Sequence, residues 1–387
     1  MKKQALATTA VMGALAVALA GCGSSASTTP AAAAGGLPPT ITLQAVQDLT
    51  GPAGYAGTYV QRGAQVAVKE INDTGFLGST KIDLAYADTR SDRQQAGILA
   101  TKAAATDTPV LLGTTASTSG QVISPIVERA KLPTIYAIST ADGVNIGRYT
   151  YRASVPAATM VVAQAEALKK YSPKSMSIIY DSDADGTVLL GTKAMPALAE
   201  KLGIPVKASK TTVSTTADYT AVVSSVLQDK PDVVGIGLVT AAGGTALIQQ
   251  LRLQGFTGPI AATSVLDSVS GKLGAGAGDV YWATAFNKNR ATEATRNFDK
   301  VFAQYCATCA DGPTEYDASG YDAVWTAVRA IKEANSVDRE AVTAGLEKVA
   351  ATGFAGSSDG LKYVNRDFQI ASPAVVWLKA GTPTLTN

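Results

Sequence analysis

Three groups of residues have chemistry to offer. The run Gly113-Thr114-Thr115-Ala116-Ser117-Thr118-Ser119 gathers five hydroxyls in seven small residues. A helical pattern starts directly after it, and the free N–H groups and positive end of a helix attract an anion. The same hydroxyls could equally do no more than cap that helix. The second group is Asp181-Ser182-Asp183-Ala184-Asp185-Gly186. Alternating carboxylates with glycine sixth match half of a calcium loop, but the twelfth position, which needs a bidentate glutamate, is Thr192. No metal site is expected there; Asp185 either contacts a ligand or sits in solvent at a helix start, where acids are favoured. The third group is Cys22, Cys306 and Cys309. Two thiolates without histidine do not complete a zinc tetrahedron. A redox pair belongs at a strand-to-helix junction, whereas Cys306 and Cys309 flank a loop between two helical segments. A local disulfide is the expectation, with free thiols the alternative. Tyr55, in the first strand-to-helix loop, is the aromatic placed to stack on a ligand; Tyr59, Trp282 and Tyr316 read as packing.

The chain of 387 residues has no histidine, which removes the Ser-His-Asp triad, the Cys-His dyad and His-ligated zinc. Its 33 basic and 31 acidic residues nearly balance, with no basic block, so nucleic acid is not a partner. Gly271 to Gly278 lacks the Lys-Ser/Thr ending of a phosphate cradle. No catalytic residue and no cofactor are expected.

Lys2 and Lys3 precede the apolar run Ala10 to Ala20, too short to span a bilayer as a mature helix. Leu19-Ala20-Gly21-Cys22 resembles the lipobox of bacterial lipoproteins, whose cysteine is lipidated and becomes the new N-terminus. The alternative is an ordinary secretory signal. Residues 1–21 are thus read as a lipoprotein signal peptide. Residues 22–39, rich in Ser, Thr, Ala, Gly and Pro, are read as a flexible tether from a lipid on Cys22.

The elements that must position these groups alternate. Strand patterns at Ile41–Val46, Ile82–Tyr86, Val110–Leu112 and Pro133–Ile138 are separated by helical patterns, and the rhythm repeats from Ala158 onward. This predicts an α/β protein of two doubly wound parallel-sheet lobes, with a ligand cleft between them at the strands' carboxyl ends. Tyr363 and Val375–Leu378 read as a closing pair of strands.

Several signatures converge: Thr50-Gly51-Pro52, Gly57, Arg62-Gly63-Ala64, Glu70-Ile71-Asn72, Asp88, Asp92 and Ser139-Thr140, together with the hydroxyl loop. Over about Ile41 to Lys379 the chain resembles the branched-chain amino-acid (leucine-binding-protein-like) type of periplasmic binding protein, the type I family of ABC-importer receptors. The resemblance implies hinge closure of two lobes on a small ligand. Crossovers are placed near Ser154, Phe286 and Ala355, giving an N-terminal lobe of residues 40–154 and 286–355 and a C-terminal lobe of 155–285 and 356–387.

The resemblance also implies site roles. Ser117 is a hydroxyl donor to a ligand carboxylate, Ile138 offers a backbone carbonyl and Thr140 a side-chain hydroxyl. Asp185 and Val239 stand where relatives carry aromatics, Ala56 replaces another, and the usual ammonium-pairing acid aligns near Ser264, with Asp267 the closest acid. An amino group buried in a cleft needs an anion, so Asp185 or Asp267 is the candidate partner. The implied protein is a monomer on the outer face of the cell membrane, partnered by permease subunits and by a ligand that is amino-acid-like, an amide or a carboxylate. A sensory module of the same fold and, further off, a two-carboxylate hydrolase are the alternatives.

Overall fold

The structure is a computed structural model. It describes residues 36–387 except 310, 359–360, 370–372, 380 and 387, and it does not describe the side chains of Asp185, Ser268, Gln369 and Ser270. The signal peptide, Cys22 and nearly all of the tether lie outside the described residues. Residues 37–387 form one contact unit.

The chain first lays down β1 (Thr40–Gln47), α1 (Gly54–Thr74), β2 (Lys81–Asp88), α2 (Arg93–Ala104), β3 (Leu111–Gly113), α3 (Ser117–Arg129), β4 (Thr134–Tyr136) and β5 (Thr150–Arg152). It then builds α4 (Ala157–Leu168), β6 (Met176–Asp181), α5 (Asp185–Leu189), α6 (Met195–Leu202), β7 (Val206–Thr212), α7 (Thr220–Leu227), β8 (Val233–Gly237), α8 (Ala241–Leu253), β9 (Ile260–Ala261) and β10 (Val280–Thr284). A third stretch adds α9 (Glu293–Tyr305), α10 (Glu315–Ala334), α11 (Arg339–Thr352), β11 (Lys362–Val364) and β12 (Asp367–Gln369), and a last one β13 (Ala374–Lys379) and β14 (Thr382–Leu385).

Two seven-stranded sheets result, in the orders β11-β12-β5-β4-β3-β1-β2 and β14-β13-β10-β9-β8-β6-β7. Strands β1–β5 and β6–β10 pair in parallel; hairpin β11–β12 and strands β13 and β14 add antiparallel pairs. The fold is therefore two doubly wound α/β lobes with mixed sheet edges. The central strands are buried along their whole length, as a sheet covered on both faces requires.

The third crossing differs from the sequence reading. Residues 356–369 were expected in the second lobe, but β11 and β12 pair with the first sheet, and the chain crosses only between β12 and β13. Tyr363 pairs with Phe368, not with residues 375–378. The reason is local and electrostatic. Asn365 and Arg366 both take positive φ in a two-residue turn, and Asp367 lies beside buried Arg152 of β5, 2.7 Å from its guanidinium.

Helix ends follow their residues. Asp92, Thr240, Thr292, Thr314 and Asp338 each accept a backbone N–H from the first turn of their helix. The helical pattern over 188–201 is interrupted by a π-turn at Leu190–Ala194, directly ahead of Pro196, which has no N–H to donate to the turn before it. Helices α1 and α10 cross almost backbone to backbone. A Cβ on Gly63 would lie 1.9 Å from the Asp317 carbonyl, and one on Gly320 2.1 Å from that of Val60. Beside this crossing Arg62 forks onto the Asp317 carboxylate through two bonds of 2.6 Å.

Candidate ligand site at the lobe joint

Each lobe carries a buried aspartate at the carboxyl end of its first strand. Asp48, just after β1, accepts from the hydroxyls of Thr89 and Thr114, the Thr115 hydroxyl (2.7 Å) and the N–H groups of Thr115 (3.1 Å) and Ala116 (2.8 Å). Asp181, ending β6, accepts from the Thr212 hydroxyl (2.7 Å) and the Val239 N–H (2.9 Å). In both lobes one carboxylate thus fixes the loop after the neighbouring strand. Asp183 accepts from the Ser214 N–H and hydroxyl. Two of the three acids in the calcium-like run are therefore taken up by loop bonds; Asp185 opens α5, and its side chain lies outside the described residues.

Asp48 holds the hydroxyl loop so that α3 begins at Ser117, with no side-chain cap from Ala116. The two serines of its first turn differ. Ser117 is 6% exposed, and its Oγ accepts the Ala141 N–H at 3.1 Å. Ser119 is fully buried, and its Oγ has no partner among the described residues. A buried hydroxyl left unpaired costs about 1–3 kcal/mol, so its position at an uncapped helix start is informative. Just after strand β4, the Ile138 carbonyl accepts the Ser154 hydroxyl at 3.1 Å, and Thr140 is half-buried with no side-chain hydrogen bond among the described residues. Arg152 clamps this segment by donating to the Ser139 and Ala141 carbonyls.

The lobes meet beside this loop, where α3 packs against α5. Tyr55, in the first turn of α1, stands edge-on to Tyr316 with centroids 5.8 Å apart and hydroxyls 3.4 Å apart, and it packs against the core of the second lobe. Glu315 of α10 accepts the Ala285 N–H at 3.0 Å, and Ser264 lies in the turn after β9. Asp267, in that same turn, accepts the Trp282 indole N–H at 2.6 Å and the Thr284 hydroxyl at 3.4 Å. Burial, reinforced by the Glu315 carboxylate, pushes Asp267 up to about 8, and burial raises Glu315 as well. Burial also raises Tyr55 and Tyr316, which stay neutral through the physiological range.

The structure thus places Tyr55 against the core of the second lobe, Ser117 at the start of the helix that packs on α5, Ile138 and Thr140 in the loop after β4, and Asp267 in the turn after β9. Sequence reasoning missed Ser119, Asp48 and Glu315. Asp48 had a signal, a lone acid closing an apolar strand; Ser119 had none, because its freedom depends on Ala141 taking Ser117 instead. Cys306 and Cys309 are bonded at the end of α9, with Cα atoms 5.4 Å apart. Among the described residues no cluster of His, Cys, Asp and Glu suited to a metal is found, and no helix is long and apolar enough to cross a membrane.

Two sheet lobes joined by three crossings, with a hydroxyl-lined helix start at their joint, define the two-lobed binding-protein class. The chain belongs to the periplasmic binding protein family, whose match spans residues 40–374. It is 26% identical over 315 residues to the Leu/Ile/Val-binding protein BraC3 of Rhizobium johnstonii, covering 79% of this chain and 83% of the relative. The leucine binding protein LivK of Thermotoga maritima shares the fold with a TM-score of 0.75 at 24% identity, over 90% of this chain and 98% of that one. A solute binding protein of R. palustris, solved with benzoate, gives a TM-score of 0.76 at 19% identity over 90% and 96%. The family match and the shared fold make the chain a two-lobed periplasmic binding protein.

Proposed function

We propose that this chain is anchored through a lipid on Cys22, captures one small carboxylate-bearing ligand between its lobes and delivers it to an ABC importer as a monomer. The observation that carries the reading is Ser119: a buried hydroxyl without a partner, at a helix start with no side-chain cap. A carboxylate there would satisfy the hydroxyl and meet the positive end of α3. Thr140 supplies a second hydroxyl, Ser117 braces the loop while remaining within the site, and the second lone pair of the Ile138 carbonyl is open to a ligand donor. Tyr55 closes over the ligand from α1. Asp185 or Asp267 serves the other end, pairing with an ammonium or accepting from an amide or hydroxyl.

Leucine and benzoate, named for structural relatives, have a carboxylate in common and little else. That supports the carboxylate as the recognised feature and leaves the ligand class as amino acids, amides that also carry a carboxylate, and aromatic acids. The test is a thermal-shift screen over branched-chain amino acids, short amides and benzoates. A cognate ligand at a hundredfold excess over its Kd adds about 2.7 kcal/mol of stability. A protein that no carboxylate stabilises, or one whose Ser119→Ala, Thr140→Ala double variant binds unchanged, contradicts the reading. Anchoring is tested separately, by whether Cys22→Ala moves the protein out of the membrane fraction.

A further inference from the structure

Arg152 of β5 has a side chain that is 5% exposed, and its guanidinium is shared between two parts of the first lobe. Its Nε and one terminal nitrogen donate to Asp367 Oδ1 of β12, at 2.9 and 2.7 Å. The other terminal nitrogen donates to the carbonyls of Ser139 and Ala141, at 3.0 and 3.1 Å. Those two residues flank Thr140. They also hold the start of α3. The Ala141 N–H donates to Ser117 Oγ at 3.1 Å, and the Ser139 hydroxyl donates to the Thr114 carbonyl at 2.8 Å. A continuous run of hydrogen bonds therefore leads from hairpin β11–β12 through Arg152 to the hydroxyl loop. The hairpin grips the loop after β4 at a further point, where Asn145 Nδ2 donates to the Arg366 carbonyl at 2.8 Å and to Asp367 Oδ1 at 2.5 Å.

The residue types suit the task. A guanidinium presents five donors in a rigid planar fork, so it can hold one carboxylate and two carbonyls at once; an ammonium has three donors on a flexible stem. A cation taken out of water also needs a counter-charge, and Asp367 supplies it. We propose that Arg152 and Asp367 are positioning residues for ligand capture. Through Arg152 the hairpin ahead of the last crossing sets the place of Thr140 and keeps the Ala141 N–H on Ser117, and so sets the affinity at the start of α3. Loss of the Asp367 carboxylate removes two charge-assisted bonds from the fork and leaves its charge uncompensated. The guanidinium then turns toward water, the Ser139 and Ala141 carbonyls lose their donor, and the loop after β4 loosens from α3.

The inference rests on the carboxylate reading above, and the experiment separates the two. Amide hydrogen exchange of ligand-free protein is followed by NMR at Ala141. The Leu111 amide, which donates to the Pro133 carbonyl ahead of β4, is the internal reference for overall opening. In Asp367→Ala the Ala141 rate is expected to rise by about tenfold or more relative to Leu111, the share of one hydrogen bond to a charged group. Asp367→Asn keeps an acceptor oxygen and lacks the charge, so its rise is expected to be smaller. A role confined to overall stability would raise both amides together, and that result, or an unchanged Ala141, overturns the proposal.

The same variants are titrated with L-leucine and with benzoate by calorimetry. Affinity for whichever probe the natural protein binds is expected to fall by about tenfold in Asp367→Ala and by less in Asp367→Asn. A loosened Ala141 with unchanged affinity overturns the positioning role and keeps the carboxylate reading. Natural protein that binds neither probe, with Ala141 loosened in Asp367→Ala, contradicts the carboxylate reading and supports the hold of the hairpin on the loop.

Discussion

Of the two serines that open α3, one is spent on the fold and the other is available. Ser117→Ala leaves the Ala141 N–H without its acceptor and is expected to cost about 1–3 kcal/mol of stability. Ser119→Ala removes a buried unpaired hydroxyl and is expected to raise the stability of the ligand-free protein, by up to about 1–3 kcal/mol. Its cost falls on binding, since a hydrogen bond to a charged group is worth about 1.5–3 kcal/mol, a loss of roughly tenfold to a hundredfold in affinity. Urea unfolding and calorimetry of the two variants check this division; a Ser119 variant that loses stability and keeps affinity contradicts it. A second single-residue prediction concerns Asp322 of α10, which accepts the Ser357 N–H at 2.8 Å and its hydroxyl at 2.6 Å. Burial pushes this carboxyl up to about 7, above the value it has in the unfolded chain. Stability from the neutral form is therefore complete below about pH 4 and is lost as pH rises through about 7, by up to about 4 kcal/mol. Asp322→Asn keeps an acceptor for Ser357 and is expected to flatten unfolding free energy between pH 5 and 8; an unchanged slope contradicts the assignment.

At the scale of elements, the first lobe is organised by the contact of α1 with α10. Gly63 and Gly320 let the two backbones touch, and Arg62–Asp317 fixes their rotation. Gly63→Ala would drive a Cβ to 1.9 Å from a carbonyl oxygen on a rigid helix. The expected cost is at least about 1–3 kcal/mol, the range for overpacking, read as a lowered denaturant midpoint at constant m-value. Arg62-Gly63-Ala64 was legible in the sequence as a motif, but its structural role was not, since its partner lies some 255 positions away. The same holds for Asp48, whose donors come from loops about 41 and 66 positions on. The alternation of strands and helices was readable because each segment is built from its own periodicity. The placement of β11 and β12 was not. A short hairpin closed by Asn365-Arg366, without a glycine, gives a weak turn signal, and its partner Arg152 belongs to a strand 215 positions earlier than Asp367. Likewise the hydroxyl loop could be named as a site from its composition, yet the choice between its serines depends on a contact from the loop after β4.

For the whole molecule, the central claim is that a carboxylate seats at the start of α3 and draws the two lobes together. The lobes are linked by three segments, and Tyr55 of the first packs against the core of the second. A ligand that bridges them must be held by both, so binding and compaction are one event. The most direct measurement is isothermal calorimetry combined with small-angle scattering on the same sample, titrating the carboxylate that the stability screen returns into natural protein and into the Ser119→Ala, Thr140→Ala double variant. The account predicts one ligand per chain, a smaller scattering radius at saturation, and affinity lost by at least about tenfold in the variant, with its ligand-free radius unchanged. Tight binding of the same ligand by the double variant, or saturation with no change in radius, would contradict it.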